Sequence, residues 1–499
     1  MESPISESSR GQAKQVCISC KVRKRKCDKI LPACSYCTKR RWKCNYPTVE
    51  RADSPDSTTA SAWADVLDPT HARTPLSLDL ATVTFLDPTL LEGGQIDFSQ
   101  PATYVPAHTL ALLGDIETIH ETAAVFFRHT HTWMPFISKK RFYEIHLRTS
   151  FHTRSDVVLL LLSLKLLTSL PPTNPRNPRT SLYLAVKQFH LQVETSNAFS
   201  ILVLQAGILI ALYEVGHGIY PAAFLSVGAC ARYAHALGIK ISGQSAAKRV
   251  LSLVEVEEKR RVWWAIVILE RFVSIGCPGR PLVTVEPTLD DLLPCSDAAW
   301  DQGIVRVEDN FRLSSPMSSH MSKFALLCQA ARLLGQVLTF LSSDPTAEDT
   351  TWVQLDRTLQ SILAAALDLQ SPDYDQITFI YSSLLALHTP GLENELDQNN
   401  STERTQRARA VIDNTTDRIW SNLIERQCFL GRDREDLSPW GLFFAYRICN
   451  IHMHARPDDA SARTMVDSLK TGLVFIDSRW NLAGAYLQLI EAQEVMMMR

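Results

Sequence analysis

The sequence predicts two unlike parts: a small metal-stabilised head at the N-terminus and a large all-α helical body. Three observations predict this. Six cysteines crowd into the 28 residues from Cys17 to Cys44, as two copies of one 11-residue unit, CISCKVRKRKC and CSYCTKRRWKC. A stretch rich in Pro, Ser, Thr, Ala and Asp follows. From about residue 106 apolar residues recur at steps of three and four, with few period-2 alternations. The expected divisions are a disordered N-terminus at 1–13, the head at 14–47, an acidic linker at 48–105 and the helical body at 106–499.

The head comes first. Its spacing is Cys17-x2-Cys20-x6-Cys27-x6-Cys34-x2-Cys37-x6-Cys44. A Cys-x2-Cys pair at a turn grips one soft cation, and zinc takes four such ligands in a tetrahedron. Six sulfurs are too many for one zinc and two short of two separate sites. Two Zn2+ per chain are both four-coordinate if two sulfurs bridge them, and the two-fold repeat suggests that equivalent positions do so. Two Zn2+ with six thiolates carry about −2 and need cationic surroundings.

Those surroundings exceed the need. From Lys14 to Cys44 there are eleven Lys/Arg and one acid, Asp28, a formal +10; the chain as a whole is −2, so the rest carries −12. Such a density of positive charge on a metal-pinned knob is an electrostatic footprint for phosphates. The acidic remainder confines nucleic-acid contact to the head.

The cysteine spacing, the Lys/Arg run between the second and third Cys, and Pro32 two residues before Cys34 resemble the fungal binuclear zinc cluster (Zn2Cys6) transcription factors. The resemblance implies that Cys17, Cys20, Cys27, Cys34, Cys37 and Cys44 bind the metal, with Cys17 and Cys34 bridging. It implies a short helix after each Cys pair, joined by a loop at the proline. The end of the first helix then enters the DNA major groove and reads a CGG triplet, with Arg23 and Lys24 at the base-reading positions. Arg and Lys are suited to this because they donate to O6 and N7 of guanine. By charge, Lys21, Arg25, Lys26, Arg40, Arg41 and Lys43 are candidates for phosphate contact. Trp42 is expected to pack within the second half.

A nuclear import signal, a disulfide framework and a RING-type module each account for less of the head. KVRKRK can serve as an import signal whether or not it touches bases. A disulfide framework belongs to secreted chains, whereas MESPISESSRGQAKQV is polar and shows no apolar signal segment. A RING-type module needs eight ligands, and no histidine fills the gaps.

The linker carries nine acids against two bases between Glu50 and Val105. Its later part, LSLDLATVTFLDPTLLEGGQIDF, mixes acids with apolar residues, as activation segments do. Phe85 and Phe98 are few for that role, so a tether whose apolar residues dock on the body is favoured. No apolar heptad follows Cys44, so the chain binds DNA as a monomer or forms a homodimer through its body.

The body is read from its apolar runs. Residues 156–170 and 198–215 are apolar, but Lys165, Gln205 and Glu214 interrupt them, so buried helices are expected rather than membrane spans. Met321, Phe324, Leu327, Cys328, Ala331, Leu334 and Val337 outline a dry helix face. Similar stretches lie near 374–388, 405–424, 438–454 and 466–497. Three segments resemble the fungal-specific transcription factor domain: FFRHTHTWMPFISKKRF (126–142), YEVGHGIYPAAFLSVGACARYAHALG (213–238) and the longer run from 258 to 294. The resemblance implies an α-helical regulatory region that modulates activation.

Enzyme motifs are missing. There is no P-loop, Gly216-His217-Gly218 lacks a third glycine, and Phe224 stands where a nucleophile elbow at Ser226 needs glycine. His120, His129 and His131 fit no helical metal-ligand set and are expected to be structural. Arg260, Arg261, Glu270 and Arg271 are expected to form ion pairs at a helix seam. The six body cysteines stand singly, as buried reduced thiols do.

The expected function is sequence-specific DNA-binding regulation of RNA polymerase II transcription in the nucleus, and the family resemblance implies a pathway-specific regulator of secondary metabolism or of catabolism. The expected partners are double-stranded DNA with CGG-type half-sites and the transcription machinery or co-regulators, with no membrane. The competing expectation is a metabolite-sensing binding protein whose DNA contact is secondary.

Overall fold

The structure is a computed structural model of the 499-residue chain. It describes residues 12–13, 15–23, 25–46, 85–86, 104–147, 151–174, 176–196, 199–239, 252–306, 311–318, 320–342, 349–370, 372–397, 403–419, 433–455 and 459–497. The expected N-terminal segment 1–13 and linker 48–105 fall outside these, apart from 12–13, 85–86 and 104–105. The chain divides into two compact units, Met1–Leu76 and Ser77–Arg499.

The first unit holds helices α1 (Ile18–Val22) and α2 (Ser35–Lys39), five residues each. Helices this short do not persist alone in water. Each is pinned at its N-cap by the first cysteine of a pair: Cys17 Sγ accepts the Cys20 N–H at 3.4 Å, and Cys34 Sγ accepts the Cys37 N–H at 3.4 Å. Each ends on the same contact, Arg25 N–H to the Cys20 carbonyl at 3.0 Å and Trp42 N–H to the Cys37 carbonyl at 2.9 Å. The sequence repeat is therefore a structural repeat, in which Trp42 occupies the position of Arg25.

The second unit is helical. Among the described residues there are only two isolated β-bridges, Gln12 with Ile30 and Leu292 with Arg312, and no strand. Its long helices are α3 (Ala107–Leu113), α4 (Ile116–Arg128), α5 (Ser155–Thr168), α6 (Ser181–Thr195), α7 (Ile201–Gly216), α8 (Ala222–Ala236), α9 (Leu253–Ser274), α10 (Lys323–Ser342), α11 (Asp349–Leu367), α12 (Tyr374–Asp397), α13 (Glu403–Ile419), α14 (Leu442–Ala455), α15 (Ala460–Asp477) and α16 (Asn481–Met497). Helix α7 is buried along all but its first residue, and α5 nearly so, because both are apolar all round. They pack on each other, and α7 also packs on α8. Helix α9 starts at a capping box of Ser252 and Glu255 and packs on α8 and α10. The α10 residues foreseen as a dry face, Phe324, Leu327, Cys328, Ala331, Leu334 and Val337, are buried, as is Met321 just before the helix. Helix α10 is long and apolar enough to cross a membrane, but 72% of its most apolar window is covered by the protein itself.

Two boundaries differ from expectation. The stretch 466–497 is two helices, because the chain turns at 478–480. There Arg479 and Trp480 are buried, donating to the Leu167 carbonyl and the Leu437 carbonyl, both at 2.7 Å. Helix α12 runs beyond 388 and carries Pro390 inside it.

Candidate metal centre and nucleic-acid interface

The six head sulfurs converge. Cys17, Cys20, Cys27 and Cys34 form one group and Cys17, Cys34, Cys37 and Cys44 another, with the sulfurs of each group within 4.8 Å of one another. Cys17 and Cys34 are common to both. The Cys17–Cys34, Cys17–Cys37 and Cys20–Cys34 sulfur separations are 3.7 Å, and Cys20–Cys37 is 3.9 Å. A disulfide would need about 2.05 Å. Four thiolates at about 2.3 Å from a tetrahedral zinc lie about 3.8 Å apart. The donor set and its spacing fit zinc.

The surroundings prepare these sulfurs unequally. Burial pushes the Cys17 thiol up to about 12 and raises Cys34 and Cys37, so a cation must supply the energy that ionises them. Burial also raises Cys27, but backbone N–H groups of Cys17 and Lys29 and the thiols of Cys34 and Cys17 outweigh it and bring it down to about 7. Cys44 is lowered in the same way: burial opposes, and the Cys34 N–H, donating at 3.3 Å, leads the groups that prevail. The segments that carry the sulfurs are also stitched together. Ile18 N–H donates to the Asn45 carbonyl at 2.8 Å, Ser19 Oγ to the Lys43 carbonyl at 2.7 Å, and Tyr46 OH to the Ile30 carbonyl at 2.9 Å. Asp28, the head's one acid, accepts the Ser35 N–H with both oxygens at 3.2 Å, and hydrogen bonding from Ser35, its side chain first and its N–H after, holds the carboxyl below the usual range. It is thus spent on the start of α2.

The basic residues lie outside this core. Lys21, Arg25, Lys26, Arg40, Arg41 and Lys43 are all exposed, as phosphate contacts require. Arg23 is exposed at the C-cap of α1. Lys24 lies outside the described residues. Trp42 packs within the second half as expected, edge-on to Tyr36 with ring centroids 6.0 Å apart. It also does something the sequence did not reveal: the Arg23 guanidinium lies over its ring, 4.3 Å from the centroid.

In the second unit the expected charges are paired. Arg261 reaches Glu257 at 2.9 Å and Asp297 at 2.8 Å and donates to the Pro135 and Cys295 carbonyls; Arg260 also pairs with Glu257. Arg271 pairs with Glu270 at 2.8 Å and Glu286 at 3.2 Å. His129 meets Asp436 and His131 meets Asp301, at 2.8 and 2.7 Å, and His120 is exposed. Among the described residues, the close His/Cys/Asp/Glu groups able to hold a metal are the two in the head. Cys230, Cys295, Cys328 and Cys449 are buried free thiols, whereas Cys277 is exposed, against expectation, because it sits in the turn after α9; Cys428 is outside the described residues.

Residues 15–52 match the family described as the fungal Zn(2)-Cys(6) binuclear cluster domain, and residues 123–390 the fungal specific transcription factor domain. The chain is 40% identical over 168 residues to the transcription factor BOA15 of Botryotinia fuckeliana, covering 33% of this chain and 92% of that protein. It is 22% identical over 320 residues to the notoamide biosynthesis cluster transcriptional coactivator notQ' of Aspergillus versicolor, 58% of each chain. It is 23% identical over 426 residues to the tropolone cluster transcription factor tropK of Talaromyces stipitatus, covering 75% of this chain and 76% of that one. These relatives are transcription factors, not enzymes.

Proposed function

The chain belongs to the fungal Zn2Cys6 transcription factors that carry the fungal specific transcription factor domain, and from that premise we propose that it is a sequence-specific DNA-binding regulator of a biosynthetic gene cluster, acting in the nucleus. The observation that carries this is the pair of four-sulfur groups sharing Cys17 and Cys34 beneath an exposed basic surface. On this reading Cys17, Cys20, Cys27, Cys34, Cys37 and Cys44 hold two Zn2+, with Cys17 and Cys34 bridging. The metal supplies the folding energy that helices of five residues lack. Residues 14–47 form the DNA-binding head, 48–105 the tether and 106–499 the regulatory body.

The residues divide the work by position. Arg23 and Lys24 follow α1, where two adjacent long donors reach guanine O6 and N7 of a CGG triplet. Lys21, Arg25, Lys26, Arg40, Arg41 and Lys43 neutralise phosphates and fix the register. The assignment to a biosynthetic cluster draws on notQ' and tropK, whose names place them in such clusters. The chain binds as a monomer or as a homodimer formed through the body, which is also the seat of contact with co-regulators.

The test is equilibrium binding of the full chain to a CGG-containing duplex and to a scrambled one. Replacing Lys24 with Ala is expected to cost about 1–3 kcal/mol on the CGG duplex and little on the scrambled one. Equal losses on both would overturn the base-reading role.

A further inference from the structure

We infer that Trp42 is a positioning residue for DNA readout: its indole face holds the Arg23 guanidinium in place with the donor edge left open. The inference rests on the reading of Arg23 as a base-contacting residue.

The geometry starts from the repeat. Trp42 stands where the first copy has Arg25, and both make the same backbone contact to a cysteine carbonyl at the end of their helix. The second copy therefore places an indole where the first places a cation. Arg41, just before it, takes the left-handed backbone conformation at φ 54°. The ring is then fixed from two sides. Tyr36 packs edge-on at an interplanar angle of 71°, and the Ser19 hydroxyl anchors the next residue through the Lys43 carbonyl. Trp42 remains 37% exposed, and its contacts span both halves of the head.

Arg23 uses two separable parts of its side chain. Its guanidinium lies over the Trp42 ring, with Cζ 4.3 Å from the centroid. Its N–H donors lie in the guanidinium plane, at the edge. One of them, Nη1, reaches the Ser19 carbonyl at 3.4 Å, a long hydrogen bond that a better acceptor displaces. An arginine held over a ring, with one donor on a long and displaceable bond, is prepared for the two-acceptor edge of guanine. Freezing the side chain before DNA arrives removes part of the ordering cost from the binding step. The same stack ties base readout in the first half to the register of the second half, whose Arg40, Arg41 and Lys43 adjoin Trp42 in sequence.

The test is a double-mutant cycle in the full chain, with affinity for CGG and scrambled duplexes measured at one salt concentration and zinc content measured alongside. Trp42→Leu is expected to lose roughly three- to tenfold in affinity for the CGG duplex and less than about twofold for the scrambled one. Trp42→Phe, which keeps a ring face, is expected to restore most of the loss. In an Arg23→Ala background, Trp42→Leu is expected to change nothing further. Should Trp42→Leu shed zinc, Trp42→Met carries the same comparison, since it fills the space without a π face. A Trp42→Leu loss that persists undiminished in the Arg23→Ala background, or that is equal on both duplexes, overturns the positioning role. Arg23→Ala losing affinity equally on both duplexes would instead overturn base reading by Arg23 itself.

Discussion

Replacing Cys34 with Ser separates the two roles that the structure gives this residue. Its sulfur is common to both four-sulfur groups, and it also caps α2 by accepting the Cys37 N–H at 3.4 Å. Serine is itself a strong N-cap, so the capping contact survives the change while the thiolate does not. With two bridged Zn2+, as proposed, each ion would then be left with three thiolates. Structural zinc contributes about 10–16 kcal/mol of apparent binding energy in comparable small domains, as much as the whole stability of a typical one. Among the described residues, the head's buried core is Cys17, Cys20, Cys34 and Cys37. We therefore expect Cys34→Ser to lose both metal ions and specific DNA binding. Cys20→Ser is the control, because Cys20 belongs to one group only; it leaves Cys17, Cys34, Cys37 and Cys44 complete and is expected to keep one ion. Native mass spectrometry of the full-length variants counts the ions directly. A Cys34→Ser protein that still carries two, or that loses no more than Cys20→Ser, would refute bridging by Cys34.

Three further outcomes are expected. Lys43→Ala removes an exposed cation but keeps the carbonyl that accepts from Ser19, so it should weaken binding to all duplexes alike and reduce the salt slope by about 1; titration at several salt concentrations checks this. Gly216→Ala would drive a methyl group into the Trp480 ring, with a cost of about 1–3 kcal/mol seen as a lower thermal midpoint; an unchanged midpoint would contradict the packing. Burial, with Arg479 nearby, pushes His217 down to about 3, and its Nδ1 accepts the Asn481 N–H, so it is neutral when folded. The unfolded chain takes up its proton from about pH 6.5 downward while the folded chain does not, so stability is lost as pH falls from about 6.5 toward 3, by about 2 kcal/mol at pH 5. His217→Gln should remove that share of the slope in denaturant melts at pH 7 and 5.

The head was legible in the sequence because its chemistry is local. Cysteines at fixed spacing dictate which sulfurs meet, and Lys and Arg between them have nowhere to go but the surface. The stack of Arg23 on Trp42 was not legible, since it joins the two halves of the repeat through a left-handed turn at Arg41 that spacing does not encode. An exposed tryptophan inside a basic run was the one available signal. In the body, apolar runs located the buried helices, but periodicity is blind to distant partners. The pairing of His129 with Asp436, 307 residues apart, fixes a histidine that the sequence could only class as structural. The break at 478–480 was hidden for the same reason. Arg479 and Trp480 continue a helical pattern locally, yet their acceptors, the carbonyls of Leu167 and Leu437, belong to other segments of the fold. The paired charges of Arg261 and Arg271 were foreseen in kind and not in partner, since Asp297 and Glu286 lie beyond the helix that carries them.

Sequence-specific binding that depends on the metal is measured by the affinity of the zinc-loaded full chain for a CGG duplex against a scrambled duplex of equal length and salt. A preference of about 1,000-fold or more is expected, abolished when a chelator strips the metal. Equal affinity for the two duplexes, or a preference that survives removal of the zinc, would contradict it.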